Sequence, residues 1–439
     1  MAAETGDVLG ELEWRGFVHQ RTHEQELDAA LAEGSLTLYC GFDPTADSLH
    51  VGSLVPIMGL AHFRRAGHSP VALVGGATGM IGDPSGKSDE RNLLDAAQIA
   101  LNLEGIGAQL RRVLDQALEL HTDGVVEGEA AEIPIVNNGD WMSPWTFIDF
   151  LRDVGKHFRV NQMIKKDSVS ARMENEAGIS YTEFSYMLIQ AYDFLHLNRT
   201  HGCSLQIGGS DQWGNITAGT DLIRRTEGSQ AFGLTFPLLA TSSGEKFGKT
   251  AAGAVWLDAD RTSPYAFYQY WRNCDDADVV RFLKMFTFLT QDEIAALEEE
   301  VSSGSNRGQV QSRLAWEVTA LVHGVAEADK AVRAARMLFG EAITDLSDRD
   351  LRSVFADVPS SEVERVRLSE GVSLVDLLAE TGMQGSKGKA KRLVSQGGGY
   401  VNNVRVEDVD YVVTLEDLAS ESFIVLRAGR KIWHVLEVV

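Results

Sequence analysis

Two short apolar runs with a helical one between them set the strongest limit on how this chain can fold. Ser35-Leu-Thr-Leu-Tyr-Cys-Gly-Phe42 is bounded by Gly34 and by Asp43-Pro44, and reads as a buried strand ending in a turn. Leu54 to Ala66 then has helical periodicity, and Ser69-Pro-Val-Ala-Leu-Val-Gly75 is a second apolar run closed by glycine. Strand, helix and strand in that order predict a βαβ unit of a parallel sheet.

Carried along the chain, the same reading extends the sheet and then leaves it. Leu9 to Glu33 is helical, as is Leu93 to Leu120, and Glu132-Ile-Pro-Ile-Val-Asn137 reads as another buried strand. A helical region from roughly Ser143 to Leu195 precedes the strand-like Leu205-Gln-Ile-Gly-Gly209, a helix from about Gln212 to Arg225 and a strand around Thr235 to Ala240. The expected organisation is a sheet domain over 1–250 with a helical insertion at about 125–200, then an α-helical domain over 251–341. An acidic linker with local helix (342–371) and a small α+β module (372–439) come after it, the latter with strand-like runs at Tyr400–Val406, Tyr411–Leu415 and Phe423–Leu426. A length of 439 residues suits several domains.

A net charge of −23 repels a phosphate backbone, so a nucleic-acid partner requires a local reversal of sign. Between Gly382 and Val406 the chain has Lys387, Lys389, Lys391, Arg392 and Arg405 and no acidic residue. Apolar stretches such as Pro70–Val74 are far short of the roughly 20 residues that span a bilayer. Met1 to Leu12 is acidic and lacks the pattern of a secretory signal. A cytoplasmic chain without a membrane partner is expected. Cys40, Cys203 and Cys274 are odd in number, far apart and outside any CxxC spacing, so they read as reduced, packed thiols. No metal-ligand cluster is expected.

Gly86-Lys87-Ser88 and Gly248-Lys249-Thr250 resemble the end of a phosphate loop, but the leading glycine falls at Ile81 and Ser243, and no GxGxxG comes after the first strand. That strand instead leads into Asp43-Pro-Thr-Ala-Asp-Ser-Leu-His50-Val-Gly-Ser53, which enters a helix. A histidine and glycine at a helix N-terminus can reach phosphate oxygens, although a loop capped by Ser53 fits that segment equally well. Tyr186, Gln190 and Asp193, at i, i+4 and i+7, project from one face of a helix. Polar groups on an otherwise apolar helix need partners, either internal or in a ligand.

Jointly these segments resemble the class I aminoacyl-tRNA synthetases. Tyr39-Cys-Gly-Phe-Asp-Pro-Thr45 with His50-Val-Gly-Ser53 is similar to their first signature, whose fuller form is His-Ile-Gly-His; Ser53 replaces the last histidine. Lys246-Phe-Gly-Lys-Thr250 resembles the second signature in the form typical of bacterial tyrosyl enzymes. Tyr181-Thr-Glu-Phe-Ser-Tyr186 through Asp193 and Gln206-Ile-Gly-Gly209-Ser-Asp211-Gln212 also match that family, and Val372 to Val406 resembles the small RNA-binding domain of the ribosomal protein S-four type.

The resemblance covers nearly the whole chain and implies an α/β fold: a Rossmann-like parallel-sheet catalytic domain with a helical insertion, an α-helical domain and a small α+β RNA-binding domain. It implies a homodimer, joined through roughly Trp141 to Arg172, that uses ATP with Mg²⁺ to form tyrosyl-adenylate and then charges tRNA(Tyr). His50, Thr45, Lys246, Lys249, Lys87 and Arg91 would stabilise charge at the phosphates, as preorganised donors do where charge grows. Tyr39 and Asp193 would bind the phenol, Asp83, Tyr186 and Gln190 the ammonium, and Gln212 the carbonyl region. Gly41, Asp43, Gly52, Ser53, Gly209, Asp211 and Thr250, with His50, Lys246 and Lys249, would line the ATP, and Arg224, Arg225, Lys387, Lys389, Lys391 and Arg392 would contact tRNA. Two alternatives stay open: a tryptophanyl-tRNA synthetase, disfavoured by Asp193 and Tyr39, and a catalytically inactive relative that only binds RNA.

Overall fold

The two apolar runs lie side by side as parallel strands, with Tyr39 opposite Val71 and Phe42 opposite Val74. They are the centre of a six-stranded sheet whose order is β1 (Gln20–Arg21), β6 (Phe232–Phe236), β5 (Cys203–Gly209), β2 (Thr37–Phe42), β3 (Ser69–Val74) and β4 (Ile135–Asn137). Every neighbouring pair is parallel except β1 and β6. From β2 the chain moves outward through β3 to β4, then crosses back to β5 on the other side of β2. That reversal opens a crevice at the carboxyl ends of β2 and β5, the place where open parallel sheets bind ligands.

This architecture is that of a computed structural model, which describes residues 7–85, 95–121, 132–173, 178–242, 244, 247–250, 253–304, 307–337, 340–343, 346–356, 358–429 and 432–439. Contacts divide the chain into two units, Met1–Arg261 with Asn273–Val322, and Thr262–Arg272 with His323–Val439. The stretch 251–341, expected as a helical domain of its own, is shared between them. Helices Asp276–Phe286 and Gln291–Ser303 and most of Arg307–His323 belong to the first unit; Pro264–Arg272 and Val325–Met337 belong to the second.

Burial and capping explain why Asp276–Phe286 stays with the sheet. Its Val279, Phe282, Leu283 and Phe286 are buried. Arg15, 3% exposed at the end of helix Val8–Arg15, donates to the carbonyls of Lys284 and Thr287 at 2.8 Å and of Leu289 at 2.7 Å, and pairs with Glu11 at 2.6 Å. Carbonyls past a helix end have no partner within the helix, so a buried guanidinium satisfies what the backbone leaves open.

Local chemistry also shifts several expected boundaries. The strand expected around 235–240 ends at Phe236, because Pro237 has no amide hydrogen to donate. Leu9–Glu33 is not one helix: Gly16 caps the first in the left-handed region at φ 82°, and β1 precedes the second, Glu24–Glu33. The region from 143 to 173 is broken into short helices, and Tyr181–His201 then runs unbroken from a capping box of Ser180 with Glu183 to Gly202.

The second unit contains a five-stranded sheet in the order β12 (Val404–Val406), β11 (Gly399–Val401), β14 (Phe423–Ala428), β15 (Ile432–Val438), β9 (Ser360–Val363), and a two-stranded one of β10 (Val372–Ser373) and β13 (Val412–Val413). Leu374, Leu377 and Leu378 of helix Leu374–Glu380, and Ala390 and Val394 of helix Lys387–Ser395, share a core with Val401, Leu426 and Leu436. A second cluster joins Val425 and Val435 to Ile343, Leu351, Val354 and Phe355. The expected linker, 342–371, therefore holds two helices, Asp348–Val354 and Arg365–Glu370, and a strand, β9, whose buried apolar side chains lie within this unit.

Arg15→Met keeps the aliphatic stem but orphans three carbonyls and Glu11. It is expected to lower the stability of the first unit by about 3 kcal/mol, read from the midpoint of guanidinium chloride unfolding. An unchanged midpoint would show that these bonds contribute nothing net.

Candidate active site

A cleft of about 650 Å³ opens where the β2 and β5 crossovers part, lined from Tyr39 to Thr45 by β2 and its turn and from Gln206 to Gln212 by β5 and its turn. Helix Tyr181–His201 crosses it and presents Tyr186, Gln190 and Asp193 on one face, as the i, i+4, i+7 spacing predicts. Asp193 is 1% exposed, and burial pushes its carboxyl up to about 7. Two donors oppose that rise: Asn138 Nδ2 to Oδ2 at 2.9 Å and Trp141 Nε1 to Oδ1 at 2.8 Å. Tyr39, also 1% exposed, lines the same end of the cleft, and its hydroxyl has no hydrogen-bond partner among the described residues. Burial and then the charge of Asp193 hold that phenol well above its ordinary pKa, so it is neutral.

Two polar chains order the rest of the cleft. In the first, Asn138 Nδ2 also reaches Thr78 Oγ1 at 3.2 Å, Thr78 donates to Asp43 Oδ1 at 2.8 Å, and Tyr186 donates to Asp43 Oδ2 at 3.0 Å. Asp43, expected at ATP, thus has both oxygens engaged within the protein and acts on Tyr186. In the second, Asn215 Nδ2 donates to Gln190 Oε1 at 3.0 Å and to Gln212 Oε1 at 3.2 Å, while Gln212 Nε2 donates to Asp83 Oδ2 at 2.6 Å. Asp83, Gln190 and Gln212, far apart in sequence, are thereby brought to one wall.

At the other wall His50 accepts from the Gly52 amide through Nδ1 at 3.0 Å, which leaves the ring proton on Nε2. His50 pairs with Trp256 as a β-bridge, and Arg261 lies 3.8 Å over the Trp256 ring while pairing with Asp47 at 2.8 Å. Gly248 has φ 83°, and a Cβ there would approach Val51 Cγ2 to 2.7 Å, so glycine lets the second signature pack against the first. Lys249 and Thr250 form β7, paired with Gly253 and Ala254. Gly41, Thr45, Gly52, Ser53, Gly209 and Asp211 line the cleft. Lys87, Arg91 and Lys246 lie outside the described residues, as do the side chains of Lys249 and Thr250.

Arg224 and Arg225 lie away from the cleft at the end of helix Trp213–Thr226, where Arg224 pairs with Asp221 and Arg225 donates to the His157 carbonyl. Lys387, Lys389, Lys391 and Arg392 are exposed on helix Lys387–Ser395, with Lys387 paired to Asp376 at 2.8 Å. Sequence reading placed none of Asn138, Trp141, Thr78, Asn215 or Gln206 in the tyrosine or ATP site. Asn138 comes directly after β4, a position at the carboxyl end of a sheet strand that could have marked it. Gln206 lines the cleft at 2% exposure, with Oε1 lacking a partner among the described residues. Cys40, read as a packed thiol, is buried but also lines the cleft.

Residues 31–340 match the model of the tRNA synthetases class I (W and Y), and residues 350–436 match that of the tyrosine–tRNA ligase SYY-like C-terminal domain. The chain is 51% identical over 435 residues to a tyrosine–tRNA ligase of Rhodopirellula baltica, covering 99% of this chain and 97% of that one. It is 49% identical over 431 residues to one from Geobacillus kaustophilus, covering 98% and 99%. Among solved structures, a C-terminally truncated mitochondrial tyrosyl-tRNA synthetase of Coccidioides posadasii aligns with a TM-score of 0.66 at 34% identity, covering 74% of this chain and 91% of that one. A tryptophanyl-tRNA synthetase of Encephalitozoon cuniculi shares the fold at a TM-score of 0.52 and 14% identity, covering 78% and 90%. The chain therefore belongs to the class I tRNA synthetases. The length and level of the sequence matches place it, within that class, among the tyrosine–tRNA ligases.

The raised Asp193 carboxyl gives a signed prediction. An unfolded aspartate titrates near 4, whereas the folded group titrates at about 7. Between those values the folded state holds a proton that the unfolded state has lost, so this group's contribution to stability falls as pH rises from about 4 to about 7. Wild type is expected to lose stability relative to Asp193→Asn across that window, in denaturant titrations of both without tyrosine. Parallel profiles would mean that the carboxyl is not raised.

Proposed function

We propose that the cleft carries out the tyrosine–tRNA ligase reaction with tyrosine's phenol between Tyr39 and Asp193 and its ammonium among Asp83, Tyr186 and Gln190. The observation that carries this reading is the buried Tyr39 hydroxyl, without a hydrogen-bond partner among the described residues, beside a carboxylate that accepts from Asn138 on one oxygen and Trp141 on the other. Such a buried orphan calls for a partner, and a phenol hydroxyl supplies one donor and one acceptor there. Phenylalanine would leave the Tyr39 hydroxyl unpaired and Asp193 without the phenol's donor, at about 1–3 kcal/mol.

ATP lies along the carboxyl ends of β2 and β5, with adenosine against Gly209 and its ribose hydroxyls on Asp211. The ionised tyrosine carboxylate attacks the α-phosphate in line; an oxygen–phosphorus bond forms, the bond to the β-phosphate oxygen breaks, and pyrophosphate leaves. No general base is needed, so positioning and charge stabilisation supply the catalysis. His50 donates through Nε2, Lys246 and Lys249 clamp the leaving phosphates, and Thr45, Lys87 and Arg91 assist. Mg²⁺ brought by the triphosphate would neutralise charge on the phosphates that Lys246 and Lys249 clamp. A ribose hydroxyl at the tRNA end then attacks the adenylate carbonyl, and AMP leaves.

Helix Lys387–Ser395 contacts the tRNA backbone together with Arg224 and Arg225. Two chains associate through the inserted helices around Trp141 to Arg172, a reading supported by Phe147, Ile148 and Val160, each more than 60% exposed. The bacterial relatives of nearly the full length support a cytoplasmic setting for the reaction. The test is exchange of pyrophosphate into ATP, which tyrosine is expected to support. Exchange with tryptophan would favour the tryptophanyl reading, and none with either amino acid an RNA-binding relative.

Lys246→Ala and Lys249→Ala are expected to slow adenylate formation about 100-fold, since their partner charge develops in the transition state. Tyrosine binding by equilibrium dialysis should hardly move; the reverse pattern would misassign the loop. Changing Lys387, Lys391 and Arg392 together to Ala should weaken tRNA binding and flatten its salt dependence without affecting exchange. Unaltered binding across a salt series would remove the helix from the tRNA interface.

A further inference from the structure

One helix that does not line the cleft touches the described residues on either side of Lys246, Ser242 before it and Phe247 after it. Asp278, near the start of Asp276–Phe286 and 3% exposed, accepts from the Ser242 amide and the Ser242 hydroxyl, both at 2.9 Å through Oδ2. Its Oδ1 accepts from Arg281 at 2.7 Å, and Arg281 donates in turn to the Ala240 carbonyl at 2.6 Å. Further along the same helix, Phe282 and Phe286 hold Phe247, with ring centroids 5.2 and 5.3 Å away, the latter pair stacked at 10°. Phe247 is 5% exposed, and its successor Gly248 lies against Val51 of the His50 turn.

A buried carboxylate at this place is more than the helix needs. Asp278 is in the first turn, where the helix dipole favours its charge, but an exposed Asp would gain that too without desolvation. Two of its donors, the Ser242 amide and hydroxyl, come from the segment entering the lysine loop, so its burial fixes that segment against the helix. We propose that Asp278 is a positioning residue for adenylate formation, holding the Ala240–Ser242 entry to the lysine segment at a fixed distance from His50 through Ser242 and Arg281. This rests on the assignment of the two lysines to the phosphates. Asp278 itself does not line the cleft. Displacing reacting groups by about 1 Å is enough to slow a positioned reaction by up to about 100-fold.

The experiment uses the full chain with rapid-quench measurement of adenylate formation, tyrosine dialysis and single-turnover transfer from preformed adenylate to tRNA. Asp278→Asn and Ser242→Ala are expected to slow adenylate formation about tenfold or more, with tyrosine affinity and the transfer rate unchanged. Ser242→Thr keeps both donors and should restore the wild-type rate. The inference is overturned if adenylate forms at the wild-type rate in Asp278→Asn and Ser242→Ala. It is equally overturned if activation, tyrosine affinity and melting temperature fall together, the pattern of a purely structural residue. Failure of Lys246→Ala and Lys249→Ala to slow activation would instead remove the underlying lysine assignment.

Discussion

The buried carboxylate of Asp193 is the interaction on which the rest of the site depends. Left to burial alone it would take up a proton and lose its strength as an acceptor. Asn138 and Trp141 resist that, and in doing so they tie β4 and the start of the inserted helices to helix Tyr181–His201. Through Asn138 the constraint passes to Thr78 and Asp43, and from Asp43 to Tyr186 on the same helix as Asp193. Asp193 at the proposed phenol end and Tyr186 at the proposed ammonium end are thus joined by one network. Satisfied networks of this kind specify a single geometry, and a partly satisfied one would be costly.

The sheet supplies the frame that such a network needs. Because β3 and β5 leave β2 on opposite sides, the turns after β2, β4 and β5 converge, and side chains remote in sequence face each other across the crevice. Asp83, Gln190 and Gln212 meet only because Asn215 bridges the latter two and Gln212 reaches Asp83. The chain as a whole carries −23, so a polyanionic partner is attracted only where sign reverses, and the exposed lysines of Lys387–Ser395 are such a place.

Much of this was legible from residue order. The βαβ opening and the shared face of Tyr186, Gln190 and Asp193 come from periodicity and spacing, and the two signature segments from the resemblance to class I synthetases; Tyr39, Asp43, His50, Tyr186, Gln190, Asp193 and Phe247 all line one cleft. Asn138, Trp141, Thr78 and Asn215 were not legible, because a side chain that acts by holding another has no periodicity or spacing of its own. β9 escaped notice because Ser360-Ser-Glu-Val363 is mostly polar, and it is a strand only by pairing with β15 from the far end of the chain. The helices after 260 look uniform in composition; which unit each joins depends on buried partners such as Arg15 and Phe247.

The central claim is that Asp193 reads the substrate's hydroxyl. Its most direct test is a cycle of dissociation constants for tyrosine and phenylalanine, measured on wild type and on Asp193→Ala. Comparing ratios within each protein cancels any general loss of binding in the variant. If the carboxylate accepts the phenol, selectivity for tyrosine should shrink by about 1–3 kcal/mol in the variant. Equal selectivity in the two proteins would contradict the account and move Asp193 out of the recognition site.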